Sequence, residues 1–396
     1  TYNQNINELP GSRKRFGRLS AYLEVLCFSM KELKDKLASN TIRTISLFSG
    51  AGGLDIGAIY AGAHIIWAND MKKEACESYA LNIGDHIHQG DINSFIPSLA
   101  KYDDVDLVIG GPPCQGFSVA GKMDENDERS KLIWSYAKVI ETIKPKAFVM
   151  ENVKALAVLD RWCSVRAALM QRFIDLGYSV NFIVLNASDF DVPQARERVF
   201  FIGFKNGTLS SPDLETMLKP YKVKAKSVRQ ALSVLDRAGE GNNTSTCNAR
   251  ITLTPQPILR KSPYAGMLFN GLGRPLKLDG YSATLPASMG GNKTPIIDER
   301  ALYEEETPWV EVYRERVEKD PSIAKTETVP SYLRRMTVDE ARVIQTFPLE
   351  YVFCGSQSAQ YTQIGNAVPC NLSKAVCSMV IDVLKGKAPI QYAGLF

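Results

Sequence analysis

The sequence predicts an α/β fold with a doubly wound, mostly parallel sheet and a second, smaller, loop-rich domain. Three observations support this prediction. Short apolar segments alternate with helix-like stretches between residues 42 and 204, a rhythm typical of a parallel sheet covered by crossover helices. After Phe204 the rhythm stops, and Gly, Asn, Ser, Thr and Pro dominate residues 239–295. The 396 residues suffice for a substantial core and favour two lobes over one.

The individual elements follow from hydrophobic periodicity and from helix-start signals. A basic, partly helical extension at 1–40, amphipathic over 22–37, precedes the sheet, and the sequence assigns it no role. Near the carboxyl end, Thr337 and Glu340 form a capping box that predicts a helix over 337–346, and a last helix is expected over 367–384. The predicted strands lie at 42–48, 64–68, 105–109, 146–150, 180–185 and 198–204, with another ending near Gly90, and the helices near 54–62, 72–83, 130–143 and 162–176.

The composition excludes several classes of protein. Apolar residues make up 45% and charged residues 23% of the chain, which argues against wholesale disorder. No apolar run reaches the roughly 18 residues of a membrane helix, and the apolar stretch at 22–30 is cut by Glu24, so an intracellular protein is expected. Eight thinly spread cysteines without CxxC pairing, and three histidines, indicate neither a zinc site nor a disulfide framework.

The net charge of +4 hides an uneven distribution. Residues 219–293 carry twelve Lys or Arg against three Asp or Glu, whereas 298–327 carry five against ten. The basic stretch is a candidate polyanion-binding surface, although such a run is also typical of a solvated face that binds nothing.

A glycine-rich turn follows the first predicted strand. Phe48-Ser49-Gly50-Ala51-Gly52-Gly53-Leu54 leads into a helix, so that a ligand can approach the backbone closely. The dinucleotide pattern would require glycine where Asp55 stands, and the Lys-Ser/Thr of a P-loop is missing, which disfavours a phosphate-cradling site.

Two aspartates end the next predicted strands. Asp70 stands where a carboxylate can accept hydrogen bonds from both ribose hydroxyls, and Asp91-Ile92 offers an acceptor for an exocyclic amine and an apolar wall. Each aspartate, considered alone, is typical of an ordinary cap at the end of a strand. In register with the glycine turn they predict a site for a nucleoside without pyrophosphate.

A candidate nucleophile follows the strand at 105–109. Cys114 lies in Gly110-Gly111-Pro112-Pro113-Cys114-Gln115-Gly116-Phe117-Ser118, a Gly/Pro turn at the sheet edge where open α/β proteins place their chemistry. Glu151 follows another strand at the same edge.

Two further strings complete the set of candidate groups. Arg196 and Arg198 fall on one side of an extended segment entering a strand, and Gln363-Ile364-Gly365-Asn366-Ala367-Val368-Pro369 opens the last predicted helix. In isolation, a strand-end glutamate or an Arg-x-Arg pair is usually structural.

Together these strings resemble the DNA cytosine carbon-5 methyltransferase family. Its Pro-Cys motif appears as Pro113-Cys114-Gln115, its Glu-Asn-Val as Glu151-Asn152-Val153, and its Gln-x-Arg-x-Arg from Gln194 to Arg198. The match covers about half of the chain. It implies a seven-stranded sheet, S-adenosyl-L-methionine as methyl donor with S-adenosyl-L-homocysteine as product, no metal, and a flipped cytosine in duplex DNA as acceptor.

The resemblance also implies roles for individual residues. Cys114 would attack carbon 6, Glu151 would hydrogen-bond the exocyclic amine and share a proton with ring nitrogen 3, and Arg196 and Arg198 would steady the base carbonyl, the catalytic loop or nearby phosphates. Met71 departs from members that carry an aromatic residue there. The donor pocket would comprise Phe48, Gly50, Ala51, Gly52, Gly53, Leu54, Asp70, Met71, Asp91, Ile92, Pro113, Leu132, Asn366, Ala367 and Val368.

By the same resemblance, residues 205–346 form the target-recognition domain, and 41–204 with 347–396 form the catalytic and donor-binding domain. Lys222, Lys224, Lys226 and Arg229 would touch phosphates, the loop 116–129 would close over the base, and the acidic stretch 304–320 would face away from DNA. The residues expected to contact DNA are Gln115, Ser118, Lys122, Thr284, Leu285, Gly290 and Gly291.

The small size suggests a bacterial restriction-modification enzyme, cytoplasmic and nucleoid-associated. Its expected partners are double-stranded DNA and a cognate restriction endonuclease that acts on the same site without direct contact. A monomer without membrane contact is expected. Two alternatives stay open at this point: a transfer RNA cytosine-5 methyltransferase, and a catalytically silent DNA-binding relative.

Overall fold

A seven-stranded sheet forms the centre of the molecule. The computed structural model describes residues 29–113, 131–205 and 213–387. The strand order in the main sheet is β3-β2-β1-β4-β5-β8-β6, and β8 alone runs antiparallel to its neighbours, which confirms the predicted mostly parallel sheet. The strands are β1 (Ile42–Leu47), β2 (Ala63–Asp70), β3 (Ile87–Gln89), β4 (Leu107–Gly110), β5 (Ala147–Val153), β6 (Tyr178–Asn186) and β8 (Glu197–Lys205), with the short β7 (Gln194–Ala195) outside this sheet.

Helices cover both faces of the sheet because its strands are apolar on both sides. Along β5, Val149 faces one hydrophobic core, whereas Phe148 and Met150 face the other. The first half of the chain contributes α1 (Met30–Ser39), α2 (Gly53–Ala61), α3 (Lys73–Asn82), α4 (Ile92–Leu99), α5 (Lys131–Ile143), α6 (Lys154–Val158) and α7 (Cys163–Asp175).

The second half begins with a loop-rich region and ends in helices that return to the sheet. Short 3₁₀ helices at Asp160–Trp162, Ala187–Asp189, Lys219–Tyr221 and Pro321–Lys325 join several of the elements. The remaining elements are α8 (Leu214–Leu218), α9 (Val228–Leu232), β9 (Leu253–Ile258), β10 (Met267–Phe269), β11 (Ser282–Ala283), β12 (Ile296–Asp298), α10 (Glu299–Tyr303), α11 (Trp309–Lys319), β13 (Leu333–Arg335), α12 (Val338–Ile344), α13 (Gln357–Asn366) and α14 (Cys370–Leu384).

The last helix packs against the first helix of the sheet domain. Gly57 of α2 permits this approach, since a Cβ at this position would lie 2.4 Å from the Lys374 backbone nitrogen and 2.5 Å from the Cys370 carbonyl oxygen. The segment after β8 also rests on α14, where the Tyr221 hydroxyl donates to Asp382 over 2.7 Å. Both ends of the described chain therefore contribute to one layer.

The loop-rich region has a small core of its own. Leu268 and Phe269 pack with Val310, Tyr313 and Val317 of α11. Trp309 stacks on Tyr313 with ring centroids 4.6 Å apart. The apolar face of α11 is thus buried, and its acidic residues lie mostly on the opposite side.

Two predictions near the carboxyl end have different outcomes. The capping box at α12 is confirmed: Thr337 Oγ1 accepts from the Glu340 amide over 3.0 Å, and the Glu340 carboxylate accepts from the Thr337 amide over 2.8 Å. The helix expected over 367–384 begins only at Cys370, because Pro369, with φ −56° and ψ 132°, keeps the preceding backbone extended. The residues before it close a separate helix, α13, that the sequence analysis missed.

The joined segment Gln357–Leu384 is apolar and long enough, by composition alone, to span a membrane. Within the protein, 67% of its most apolar window is buried, and the extended stretch before Cys370 divides it into two helices. Core helices pass the same test, and the packing of α14 on α2 is of this kind.

Candidate active site

A cavity of about 1080 Å³ opens at the carboxyl edge of the sheet. It is bounded by the ends of β1, β2, β4 and β5, by the start of α2, and by α13. Ligands in open α/β sheets bind at this edge. The cavity brings together most of the residues expected at the donor site: Phe48, Gly50, Ala51, Gly53, Leu54, Asp70, Met71, Asp91, Ile92, Pro113, Leu132, Asn366, Ala367 and Val368.

The glycine turn needs backbone conformations that favour glycine. Gly50 has φ +54° and Gly52 φ +77°, and a Cβ on Gly50 would meet nothing within 4 Å. Gly52 does not line the cavity, since a Cβ there would point at Ile83, 2.3 Å away. A Cβ on Gly53 would lie 2.4 Å from the Val368 carbonyl oxygen, so glycine lets the turn touch the segment before α14.

Asp70 shapes the glycine turn as well as lining the cavity. Its two carboxylate oxygens accept from the Gly50 amide and the Lys72 amide, each over 2.8 Å. Burial raises the pKa of Asp70, and these amide hydrogen bonds oppose the rise. The neighbouring Met71 is 57% exposed at the rim.

Asp91 is the N-cap of α4. Its Oδ1 accepts from the Asn93 amide nitrogen over 3.0 Å and from Asn93 Nδ2 over 2.9 Å. The cap interpretation therefore holds for Asp91, and the same residue also lines the cavity. Capping fixes one oxygen of this carboxylate and with it the orientation of the group.

The segment that leads to the candidate nucleophile is held by the end of β5. Asn152 Nδ2 donates to the Pro112 carbonyl oxygen over 3.0 Å. A Cβ on Gly111 would lie 3.0 Å from Glu151 Oε2, so this carboxylate lies directly against the segment. Cys114, Gln115, Ser118 and Lys122, together with the loop 116–129, lie outside the described residues.

Glu151 and Arg198 form an ion pair in the cavity wall. Arg198 Nε lies 3.0 Å from Glu151 Oε1, and the two side chains are 15% and 12% exposed. Burial raises the pKa of Glu151, while the charges of Arg198 and Arg196 act in the opposite direction. The result is a carboxyl group with a heightened affinity for a proton, which suits a group that must hold or share one.

Arg196 connects segments rather than pairing with a carboxylate. Its Nη1 donates to the Leu285 carbonyl over 3.2 Å and its Nη2 to the Gly365 carbonyl over 2.9 Å. Burial, followed by the charge of Arg198, lowers the pKa of Arg196 to about 9, so the guanidinium stays charged near neutrality. The two arginines thus line one cavity with different contacts.

The Thr284-Leu285 segment is attached beside these arginines. β11 pairs in parallel with β7, and the Thr284 hydroxyl donates to the Ala195 carbonyl over 3.1 Å. Both Thr284 and Leu285 line the cavity. Two glycines that were also expected to contact DNA, Gly290 and Gly291, do not line the cavity. Gly290 has φ +103° and packs against Ser358 of α13, and Gly291 has no atom near its Cβ position.

One of the basic residues expected at phosphates is engaged within the protein. Arg229 pairs with Asp279 over 2.7 Å and donates to the carbonyls of Ala301 and Leu302. Its guanidinium therefore braces the loop-rich region internally. Lys222 and Lys224 are exposed.

Part of the cavity wall was missed by sequence reasoning. The main omission is α13, whose start is signalled by the Gly355-Ser356 pair: the Ser356 hydroxyl accepts from the Ala359 amide over 3.3 Å. The lining residues that lie in none of the predicted motifs are Asn69, Lys72, Glu74, Ala75, Ala287, Ser356, Ser358, Ala359 and Thr362. The lining residues that lie in those motifs without having been named as site residues are Ser49, Gly90, Gly111, Pro112, Asn152, Val153, Pro286, Gln363 and Gly365.

Comparisons with known proteins show which proteins this chain is similar to. The family model described as C-5 cytosine-specific DNA methylase matches residues 42–382. The chain is 30% identical to the Type II methyltransferase M1.HphI of Haemophilus parahaemolyticus, covering 91% of this chain and 93% of the relative. It is 32% identical to the Type II methyltransferase M.HgiDI of Herpetosiphon aurantiacus, covering 84% and 92%. The crystal structure of the S. pombe Dnmt2 methyltransferase shares the fold with a TM-score of 0.61 at 18% identity, covering 88% of this chain and 99% of that one.

Proposed function

The chain belongs to the C-5 cytosine-specific DNA methylases and is a DNA cytosine-5 methyltransferase of the bacterial restriction-modification type, and we propose that it methylates a cytosine flipped out of duplex DNA with S-adenosyl-L-methionine as donor. The observation that carries the proposal is the position of Glu151. Its carboxylate pairs with Arg198 on one side and lies against Gly111 on the other, inside the cavity that the glycine turn also lines.

The donor fits the wall formed by β1, β2 and β4. Phe48 and Ile92 supply apolar surfaces for an adenine, Asp91 an acceptor for its amine, and Asp70 a carboxylate for the ribose. The glycine turn at residues 48–54 contains no lysine or arginine to cradle a phosphate, although Lys72 lines the same cavity, so the turn itself suits a nucleoside without pyrophosphate. When bound, the donor supplies an electrophilic methyl group. Asn366, Ala367 and Val368 close the wall from the α13 side.

The chain's own residues prepare the cytosine. The Cys114 thiolate adds to carbon 6, and the electron pair of the former 5,6 double bond moves into the ring as ring nitrogen 3 takes a proton from Glu151. Carbon 5 becomes nucleophilic and would take the methyl group as ring nitrogen 3 returns its proton to Glu151 and S-adenosyl-L-homocysteine is released. Loss of the carbon 5 proton to a base then expels the thiolate and restores the aromatic ring.

Asn152 and Arg198 act on this step by placement. The hydrogen bond from Asn152 to Pro112 fixes the backbone two residues before Cys114. Arg198 orients the Glu151 carboxylate through the ion pair. Removing one partner of such a buried pair leaves a desolvated charge behind, so both groups are needed for a competent site.

The target-recognition domain is assigned to residues 205–346, with 41–204 and 347–396 as the catalytic domain. Thr284 and Leu285 reach the cavity from this domain. We assign the basic stretch 219–293 to DNA phosphates, with Arg229 as an internal brace. The enzyme is further proposed to work as a monomer in the bacterial cytoplasm, at the nucleoid, alongside a nuclease that reads the same site.

Bisulfite sequencing of DNA from cells that express the protein tests the function. One short sequence context is expected to keep a cytosine unconverted, and Cys114→Ser should abolish this protection. Purified protein is assayed in parallel for methyl transfer to unmethylated plasmid DNA and to bulk transfer RNA. Methylation of transfer RNA alone, or protected cytosines with the Cys114→Ser variant, would overturn the proposal.

A further inference from the structure

Two buried glutamines lie behind the candidate active site, and the chemistry proposed above does not use them. Gln194 and Gln345 are both 0% exposed. Gln194 Nε2 donates to Gln345 Oε1 over 2.6 Å. A buried amide pair of this kind costs stability unless its remaining donors and acceptors are satisfied, so its other contacts are informative.

The remaining contacts reach two different functional segments. Gln345 Nε2 donates to the Ile364 carbonyl over 2.9 Å and to the Ala367 carbonyl over 2.6 Å, on either side of Asn366. Gln194 Oε1 accepts from the Leu285 amide over 3.0 Å. The pair therefore joins the donor-side segment 364–367 to the target-side segment 284–285.

The direction of each hydrogen bond is fixed by its neighbours. The Leu285 amide can only donate, so Gln194 must turn its oxygen toward Leu285 and its nitrogen toward Gln345. The two carbonyls beyond Gln345 can only accept, so Gln345 must turn its nitrogen toward them. Neither amide can flip without losing several bonds at once.

The two segments also touch directly. Gly365 makes the contact possible, since a Cβ there would lie 2.6 Å from both the Pro286 carbonyl oxygen and the Ala287 nitrogen. Arg196 adds a second bridge between the Leu285 and Gly365 carbonyls. Because this bridge does not involve Gln345, the two segments stay connected when Gln345 is altered.

We propose that Gln345 is a positioning residue that couples target binding to donor binding. The coupling rests on the proposed function of the cavity. A shift of Leu285 when a base enters is carried through Gln194 and Gln345 to Ala367, which lines the donor wall. Coupling between two binding sites is reciprocal, so DNA should tighten donor-site ligands by the same factor by which they tighten DNA.

The test measures that factor. S-adenosyl-L-homocysteine is titrated by calorimetry into the full-length protein, alone and with a saturating duplex that carries the site mapped by bisulfite sequencing. In the unaltered protein the duplex is expected to tighten binding by about 5-fold or more, and in Gln345→Met, where the Arg196 bridge still joins the segments, the factor should fall by about half or more. The reverse titration, of duplex with and without the nucleoside, should give the same factors.

Asn82→Leu is the matched control. Asn82 is also a buried amide, and its hydrogen bonds go to the Ser78 carbonyl and to Val352, neither of which belongs to the two segments, so its loss destabilises the fold without removing a hydrogen bond of the bridge. It should keep the factor of the unaltered protein. If Gln345→Met fails to fold, Gln345→Asn, which keeps an amide but is one methylene shorter, replaces it.

A factor retained in the Gln345 variant would overturn the proposal, as would a factor lost equally in Asn82→Leu or a factor of about 1 in the unaltered protein. The proposed function fails in a different way. If the unaltered protein bound no S-adenosyl-L-homocysteine, with or without DNA, the donor site itself would be refuted and this coupling with it.

Discussion

Replacing Asp55 by asparagine should change how the stability of this protein depends on pH. Asp55 lies in the first turn of α2 and is 0% exposed. The Tyr79 hydroxyl donates to its Oδ1 over 2.9 Å, and Oδ2 makes no hydrogen bond of ordinary geometry among the described residues, although the Ser46 side chain lies close enough to oppose the rise in its pKa. Burial raises the pKa of Asp55 from its ordinary 3.8 to about 7.

The sign and size of the effect follow from linkage. Below pH 3.8 the carboxyl is protonated in both the folded and the unfolded chain; between 3.8 and about 7 only the folded chain keeps the proton. The free energy of unfolding therefore falls as pH rises through this window, by about 4 kcal/mol at about 1.4 kcal/mol per pKa unit. Above about pH 7 the loss is complete and constant.

Asp55→Asn removes this titration and keeps an oxygen for the Tyr79 hydroxyl. The new amide group needs an acceptor, and its absence costs about 1–3 kcal/mol. At pH 8 the variant should therefore be more stable than the unaltered protein by about 1–3 kcal/mol, whereas at pH 5 it should be no more stable, or less. Urea denaturation followed by far-UV circular dichroism at pH 5, 6, 7 and 8 measures the difference.

Asp35→Asn, on the exposed face of α1, is the control and should leave the pH dependence unaltered. Titrating groups that contact neither Asp55 nor Tyr79 affect both proteins alike and cancel in the comparison; His86, whose Nε2 lies 3.2 Å from the Tyr79 hydroxyl, is not one of them. The reasoning is refuted if the free-energy difference between Asp55→Asn and the unaltered protein is the same at pH 5 and pH 8.

Three more substitutions test the site. Glu151→Gln should lower kcat for methyl transfer by about 10²- to 10⁴-fold, measured by single-turnover kinetics. The affinity for S-adenosyl-L-homocysteine, measured by calorimetry, should change little. A kcat within a few-fold of normal would contradict the assigned role. Arg198→Gln should move the alkaline limb of the pH–rate profile to higher pH, because the charge of Arg198 lowers the pKa of Glu151. An unmoved limb would count against this reasoning. Gly365→Ala should lower the free energy of unfolding, measured by urea denaturation, by about 1–3 kcal/mol, because its Cβ would meet Pro286 and Ala287. Gly291→Ala, whose Cβ would lie in open space, should lower it little. Equal losses in the two variants would argue against the close contact.

Local signals made the sheet and the strand-end residues predictable. The described strands and helices of residues 42–205 lie within about three residues of the predicted segments where a segment was predicted, because apolar periodicity reports burial directly. Asp70, Asp91 and Glu151 were brought to one edge by topology alone, since parallel strands end together. The capping box of α12 was visible for the same reason: both partners lie within one helical turn.

Long-range contacts set the limits of prediction. α13 has a weak apolar pattern, so its helix start went unnoticed, and with it one wall of the cavity. The sequence also did not predict that Arg196 and Arg198 make different contacts. Strand periodicity places both on one side, but the sheet pairing breaks between β7 and β8 at Arg196, whose carbonyl accepts from the Ala187 amide over 2.9 Å instead. That break directs Arg196 toward Leu285 and Gly365, contacts that depend on residues about 90 and 170 positions later in the chain.

The opposing influences on the pKa of Glu151 suggest that the protonation state of this carboxyl group differs between an empty and a filled cavity. Burial favours the protonated carboxyl, whereas the ion pair with Arg198 favours the carboxylate. On the proposed function, a base or phosphate that draws Arg198 away weakens the influence that favours the carboxylate. The pKa of Glu151 then rises further, and the proton is held where ring nitrogen 3 needs it. An empty site keeps the ion pair instead, so that the buried carboxylate is compensated until the base arrives.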